Sequence, residues 1–422
     1  MGISRSTPSP GPGSGSSVAD VNQLGEANAA AVIEAIRMLA PVSRADLARL
    51  TRFKPPTISG IVGQLVNEGL VLEGESERSE SGRGRPSRLL RVNAGYRSIL
   101  AVDIESDHLR AAVTDLNGSI LNVRGQFVDR RSSPESTLRK LLEMIGELDP
   151  DRNRIAGIGV SCPGMVDEET GTMLGSTNLP AWKNVPLRQF FLEHFNAPVS
   201  VGRSIHLAAW AEYWFRKDYR PTKMIAVTLR TGIGFALVDN GEVFQGKNGF
   251  DGELGHTVVD VNGLPCECGR RGCLETFLSP ASMTRRARAL MEQGRGQVFK
   301  PLLAHGAELD AEIIYRRARE GDADCGEIVD DLIRYLAIGI GNLVNLFNVE
   351  TVVLCGAIDI ANKQLLGQLR DEVRRNCLDR SWEGLDLRLS RHAERSSLMG
   401  AAVRATQEYL IAAIRQKVPA TV

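Results

Sequence analysis

The 422-residue sequence has no excess of charge of either sign, since 51 lysines and arginines balance 51 aspartates and glutamates. A chain so balanced does not coat a polyanion with its whole surface, and contact with nucleic acid would need a local basic patch. Long apolar runs are missing too: no stretch approaches the length of a membrane-spanning helix. The first residues, rich in Ser, Pro and Gly, lack the apolar core of a secretion signal, so residues 1–23 read as a disordered tail on a cytoplasmic protein. Cysteine is sparse. Seven thiols cannot all pair, which argues against a disulfide framework and for a reducing compartment. What is present is a hydrophobic fraction of 43%, ample for the cores of two or three domains.

Three of the thiols are concentrated. Cys266, Cys268 and Cys273 fall within eight residues, with Gly269 and Gly272 between them and His256 ten positions before the first. Ordinary buried thiols, or one disulfide with a spare, are the plain alternatives, but a glycine-rich cluster is poor material for a packed core. One imidazole and three thiolates form the soft, tetrahedral set that Zn²⁺ prefers. Four protein ligands leave no position for a reactive water, so the zinc expected here is structural.

Residues 24–92 read as a small domain of their own. Val32, Ile36 and Leu39 lie on one face of a helix over Asn28–Leu39, ended by Pro41. Ser43 starts a second helix, with Asp46 reaching back to it as in a capping box. A third helix is expected from Pro56 to Glu68, its proline in the first turn where the missing N–H is harmless. Ile58, Ile61, Val62, Leu65 and Val66 form its apolar stripe, and Thr57, Ser59, Gly60 and Gln64 its small, polar face. Two strands, Gly69–Leu72 and Leu89–Val92, enclose a basic hairpin with Arg83, Arg85 and Arg88. Helix, turn, helix and a basic wing in this order point to duplex DNA. A three-helix bundle used for dimerisation is the blander reading.

From residue 96 the pattern changes to α/β. Strands are expected at Ser98–Asp103, Leu109–Asp115, Ile120–Phe127 and Ile155–Ser161, with a helix over Ser136–Leu148. Met224–Leu229 and Phe235–Asp239 begin the same sequence of elements again, which implies two similar lobes with a cleft between them. A long helix, Ile328–Asn348, then a strand, Val352–Leu354, and a closing helix, Ser397–Ile414, complete the series.

Together these segments resemble the transcriptional regulators of the ROK family, repressors related to bacterial sugar kinases. The resemblance rests on S-R-A-D-L-A-R-L-T-R-F with P-P-T-I-S-G-I-V-G-Q-L-V-N-E-G-L-V, on G-R-G-R-P, on P-G-M-V-D, on T-N-L-P-A-W-K-N-V-P-L, and most of all on G-E-L-G-H joined to C-E-C-G-R-R-G-C-L-E. It spans residues 26–410 and implies a winged helix-turn-helix followed by a two-lobed, actin-like (ribonuclease-H-like) domain of ATPase type. That domain would occupy residues 96–422, with lobe 1 over 96–220 plus helix 396–415 and lobe 2 over 221–395. Operator DNA, met by Ser43, Arg44, Lys54, Pro56, Thr57, Ser59, Gly60, Gln64, Arg83 and Arg85, is the implied partner, and paired half-sites imply a homodimer or homotetramer.

Phosphoryl transfer is not expected. Where the family's kinases carry an Asp-x-Gly-Gly-Thr loop, this chain reads Asp103-Ile104-Glu105-Ser106-Asp107; the second phosphate loop has Arg230 for its first glycine; the adenosine-side Gly-Gly is Gly356-Ala357 after Cys355; and Ser204 stands where the catalytic Asp would be. A hydroxyl does not accept a proton unaided at neutral pH, so the base is lost. A kinase with a fused DNA-binding domain remains the second reading, and a regulator controlled by a protein partner the third. The resemblance makes Asn178, Glu253, His256 and Glu275 contacts of a sugar effector. Arg203 and Ser204, in place of the family's Asn-Asp, join them, and Arg203 with Arg230 would suit a sugar phosphate or sugar acid unless both form salt bridges across the cleft.

Overall fold

A computed structural model describes residues 18–77, 87–148, 150–216, 219–230, 232–247, 249–304, 309–356 and 363–415. Its contacts separate two units, one formed by residues up to Tyr96 together with those from Gln407 onward, the other by Arg97–Thr406.

In the first unit, α1 (Val18–Leu39) begins ten residues before the expected start and inside the segment read as a tail. No proline interrupts the chain between Pro12 and Pro41, so nothing stops the helix at Asn28. The expected tail from 1 to 17 lies outside the described residues. After a two-residue strand, β1 (Val42–Ser43), come α2 (Arg44–Thr51) and α3 (Pro55–Asn67). Ser43 caps α2 in a full capping box with Asp46, and Arg52 ends it in the left-handed conformation, which makes the turn into α3 tight. Both Pro55 and Pro56 sit in the first turn of α3, whose N-cap is Lys54. The three helices pack around Val32, Ile36, Leu47, Ile58, Val62 and Leu65, all buried, while Ile61 and Val66 stay partly exposed. Strands β2 (Val71–Glu77) and β3 (Ser87–Val92) form the wing, and β1 extends it to a three-stranded sheet in the order β1-β3-β2. The wing tip, with Arg83 and Arg85, lies outside the described residues.

The second unit contains one topology twice. β4 (Ser98–Ile104), β5 (His108–Asp115) and β6 (Ile120–Phe127) form an antiparallel meander. Helix α4 (Pro134–Glu147) then leads to β7 (Ile155–Cys162), which lies parallel to β4. A small hairpin, β8 (Met165–Asp167) and β9 (Thr172–Gly175), and α5 (Leu187–His194) precede β10 (Val199–Arg203), parallel to β7. After α6 (Ser204–Trp214) the pattern restarts with β11 (Lys223–Leu229), β12 (Ile233–Asp239) and the short β13 (Glu242–Val243). The chain runs through α7 (Glu275–Leu278), α8 (Pro280–Glu292), α9 (Phe299–Ala304), α10 (Ala311–Arg319) and the long α11 (Ala323–Phe347). It continues with β14 (Thr351–Cys355), α12 (Lys363–Asn376), α13 (Asp379–Trp382), β15 (Asp386–Leu389) and α14 (Ser396–Arg415). The sheet orders, β10-β7-β4-β5-β6 and β13-β12-β11-β14-β15, show the repeat: each first strand has its meander on one side and two parallel strands on the other. This is the two-lobed, actin-like arrangement.

Each sheet is buried against helices, as parallel pairing requires. Leu100, Val102 and Val160 meet Leu141 of α4 and Phe191 of α5 in lobe 1, and Ile225, Val227 and Val352 meet Leu336 and Ile340 of α11 in lobe 2. The closing helix packs on lobe 1 through glycines. A Cβ on Gly159 would stand 1.9 Å from the Ala401 carbonyl oxygen, and one on Gly400 1.8 Å from that of Leu207, so only glycine lets the backbones approach. The last turns of α14, from Gln407, group with the first unit, a boundary that the strand pattern alone did not place.

Candidate metal centre and the cleft beside it

The segment after β13 has little regular structure, and two isolated bridges, Val258 with Cys273 and Pro265 with Arg271, fold it back on itself. A 3₁₀ turn, Leu254–His256, delivers the imidazole, and the Cys266 amide donates to the Arg270 carbonyl to close the tight loop. The ligand atoms of His256, Cys266, Cys268 and Cys273 all lie within 4.8 Å of one another. Cys268 and Cys273 Sγ are 3.6 Å apart, and His256 Nδ1 is 3.7 Å from Cys266 Sγ. Tetrahedral zinc with ordinary bond lengths would set these edges at about 3.8 and 3.6 Å. Burial and the neighbouring thiols push Cys273 up to about 12 and raise Cys266 as well. A divalent cation at the centre reverses that cost by holding the thiolates. The donor set therefore fits a metal.

Asn178, Arg203, Ser204, Glu253, His256 and Glu275 line one cleft. Glu253 immediately precedes the 3₁₀ turn, and Glu275 opens α7 directly after the last cysteine and Leu274. Asn178 comes from the loop after β9, yet its Nδ2 and Glu275 Oε2 would lie 3.1 and 3.4 Å from a Cβ on Gly232, so the two side chains converge on that bare backbone. Burial raises the Glu275 carboxyl. His256 turns Nδ1 to the thiols while its ring also lines the cleft, so one residue belongs to both places.

Arg203 is placed differently from a receptor for anions. It is 4% exposed, and its Nε donates to the Gly164 carbonyl at 2.9 Å. Nη1 donates to the Asp251 carbonyl and carboxylate at 2.8 and 3.2 Å, and Nη2 to Glu253 Oε1 at 2.9 Å. Asp251 in turn meets His206 Nε2 at 2.7 Å, and Glu168, 4.0 Å from His206 Nδ1, reaches Arg404 of α14 at 3.4 Å. Burial opposes the charge on Asp251, but the His206 hydrogen bond and Arg203 prevail and hold it down at about 2. Asp251, His206 and Glu168 were not singled out from the sequence; the position of Asp251, two residues before Glu253, was the available signal.

At the other end of the cleft Arg230 closes on the first loop. Its Nη1 is 3.0 Å from Glu105 Oε1 and 3.7 Å from Asp103, and its Nη2 is 3.0 Å from His108 Nε2. Arg110, 3.7 Å from Asp103, binds Glu394 at 2.6 Å. Asp103 is fully buried, with neither carboxylate oxygen in a hydrogen bond. Burial pushes Glu105 up to about 7 against the pull of Arg230. Both guanidinium groups are held by the chain's own carboxylates, which is the arrangement of the alternative reading, salt bridges across the cleft.

On α3, Pro56, Thr57, Ser59 and Gly60 are exposed, as is Lys54 at the N-cap. Gln64 donates to Glu68 at 3.2 Å. Ser43, expected at DNA, is 6% exposed; its hydroxyl donates to the Asp46 carboxylate at 2.6 Å and accepts from the Asp46 amide at 3.2 Å, which caps α2. Arg44 is tied to Glu73 at 2.6 Å, and the same carboxylate meets Arg88 at 3.2 Å.

Comparison with known proteins agrees with this architecture. Among curated relatives, the xylose repressor of Caldicellulosiruptor bescii is 28% identical over 373 residues, covering 87% of this chain and 92% of its own. Among solved structures, a ROK family transcriptional regulator described as a homologue of the E. coli MLC protein superposes with a TM-score of 0.78 at 26% identity, covering 93% of this chain and 98% of its own. A ROK family glucokinase from Streptomyces griseus, solved with glucose and AMPPNP, shares the fold with a TM-score of 0.65 at 24% identity over 74% of this chain and 99% of its own. No described helix is long and apolar enough to cross a membrane. Residues 99–408 match the ROK family throughout the two-lobed unit, and with the repeated sheets and the His/Cys cluster already in place, the conclusion is that this chain belongs to the ROK family.

Proposed function

We propose that the chain is a DNA-binding transcriptional repressor whose two-lobed domain binds a sugar effector and carries a structural zinc on His256, Cys266, Cys268 and Cys273. The observation that carries this reading is the convergence of Asn178, Glu253, His256 and Glu275 in one cleft beside the metal-ligand cluster. Carboxylates and an amide suit hydroxyl groups, each accepting or donating more than one hydrogen bond. The metal fixes the His256 ring, and with it one wall of the cleft. The similarity to named repressors supports the same reading.

The DNA-reading surface would be the exposed face of α3, with Pro56, Thr57, Ser59 and Gly60 at base edges and Lys54 and Gln64 at phosphates. Arg83 and Arg85 of the wing would reach the backbone or minor groove. Homodimers or homotetramers place two such units about one DNA turn apart. A protein that holds an operator works in the cytoplasm. The effector acts by binding the DNA-competent and DNA-incompetent arrangements unequally. The chain is not a kinase, in this reading, because Arg230 and the Asp103-Glu105 pair occupy each other where phosphates would bind.

Selection of bound fragments from genomic DNA, followed by titration of a sugar panel against the recovered operator, tests the proposal. Recovered operators should lie beside genes of carbohydrate use. With six to ten phosphate contacts, affinity should fall roughly 10³-fold or more between 50 and 200 mM salt. ATP turnover with any sugar would instead favour the kinase reading.

A further inference from the structure

Resting on the reading of the cleft as an effector site, we infer that the effector is an uncharged sugar, and that Arg203 and Glu253 together select it against sugar phosphates and sugar acids. Arg203 sits where an arginine would ordinarily announce an anion. Its guanidinium has five N–H groups, of which four are directed at Gly164, Asp251 and Glu253. A phosphate arriving there would have to take the arginine from two carboxylates, leaving the half-exposed Glu253 without its cation and Asp251 with His206 as its remaining charged partner.

The balance of charge around the cleft points the same way. Four carboxylates, Glu105, Glu253, Glu275 and Glu394, line it against two guanidinium groups, Arg203 and Arg230; both guanidinium groups are paired with lining carboxylates, and Glu394 with Arg110, so the lining offers an anion no spare cation. The start of α6 also opens on the cleft, with Arg203 as its N-cap and no side chain capping it. N–H groups at a helix start donate to a hydroxyl oxygen as well as to an anion, so the surrounding carboxylates decide between them.

What the pair does offer is suited to a neutral polyol. Glu253 has one oxygen on Arg203 and is half-exposed, so its second oxygen can accept from a hydroxyl. The remaining Nη2 hydrogen of Arg203 lies on the same group that holds Glu253 and can donate to an adjacent hydroxyl or ring oxygen. An acceptor and a donor side by side match two vicinal oxygens of a sugar, and Glu275 and Asn178, which converge beside Gly232 in the same cleft, can take further ones. Arg203 is thus a specificity-determining residue that works through the carboxylates it holds.

Calorimetric titration of the full-length, zinc-loaded protein with matched probes tests this: glucose and glucose 6-phosphate, N-acetylglucosamine and its 6-phosphate, xylose and xylonate, galactose and galacturonate. At least one neutral sugar should bind, and its charged counterpart at least tenfold more weakly. Glu253→Gln, which keeps the arginine contact but removes a charge, should weaken the neutral sugar and narrow that gap. Arg203→Lys, which keeps the charge but loses the fork, should weaken the neutral sugar at least tenfold without gaining the charged one, with circular dichroism confirming an intact fold. A charged sugar binding more tightly than its neutral parent would overturn the inference and leave the effector reading standing. No binding in either column would bring both down.

Discussion

The two ends of the cleft are built in opposite ways. At one end, two loops carry charged side chains that bind each other: Arg230 meets Glu105 and Asp103, with Arg110 and Glu394 beside them. At the other end Asn178, Glu253, His256 and Glu275 still converge, supported from behind by the ligand cluster of a metal. The first end is filled by the chain itself; the second is left able to make hydrogen bonds. On the proposed reading, the closed end depends only on side chains of loops, whereas the open end depends on the loop carrying His256 and the helix carrying Glu275 staying braced.

Metal removal is the most severe way to break this contrast. A structural zinc contributes on the order of 10 kcal/mol of binding free energy to the segment it folds. Cys273→Ser, or chelation, should release the loop from Thr257 to Leu274, lower the melting temperature and abolish any sugar-induced thermal shift. The filled end has no metal ligand, so it should be unaffected locally. A sugar response that survives loss of metal would show that the cluster does not brace the cleft.

The next effect in size lies at the filled end. Arg230→Ala leaves Glu105 without its closest partner and the fully buried Asp103 with Arg110 in place of two arginines, and breaking a buried ion pair costs about 3 kcal/mol or more. Replacing both Arg230 and Glu105 with leucine should recover much of that loss. Neither variant should turn over ATP, because no phosphate-binding glycines return. Denaturant unfolding of the single and double variants gives the comparison directly; equal destabilisation by both would mean that the ion pair is not what holds this end together. Glu275→Ala at the open end should behave in reverse, with little change in stability and a loss of sugar affinity of roughly tenfold or more, about 1.5–3 kcal/mol for hydrogen bonds to a charged group.

How much of this could be read in advance differs between the two ends. The open end was legible because its residues keep close spacing: His256, three cysteines and Glu275 fall within twenty positions, and metal geometry dictates such spacing. The repeated strands were legible for a similar reason, since alternation and apolar runs are local signals; boundaries moved by only a few residues, as with β12, which begins at Ile233 rather than Phe235. The filled end was legible only as a loss. That glycines were missing was plain, but that Arg230 closes on Glu105, 125 positions away, depends on where two loops meet in space. The same limit applies to Arg203, whose partners Asp251 and Glu253 lie about 50 positions on; the capping of α2 by Ser43 with Asp46, three positions apart, was by contrast a local signal and was read.

The finest distinction between the ends is their response to pH. Glu105 is raised by burial from its ordinary value to about 7, so the folded state binds that proton more tightly than the unfolded chain does. Its contribution to stability is full below pH 4.5 and is lost as pH rises towards 7. His206 faces Asp251, Glu168 and Arg203; burial works against its charge, but the hydrogen bond to Asp251 and the Glu168 carboxylate 4.0 Å away raise it above 6.5. Its contribution is full below 6.5 and is lost only as pH rises through the higher folded value. Asp251, held at about 2, keeps its contribution throughout this range and loses it only in strong acid. Both ends therefore weaken with rising pH, but in successive windows, each with a slope below about 1.4 kcal/mol per pH unit. Glu105→Gln should flatten the stability profile between pH 4.5 and 7 and leave the alkaline limb intact, while His206→Gln should do the opposite. If either substitution flattened both limbs, the two ends would be a single coupled network, and the separation drawn between a closed end and an open one would be lost.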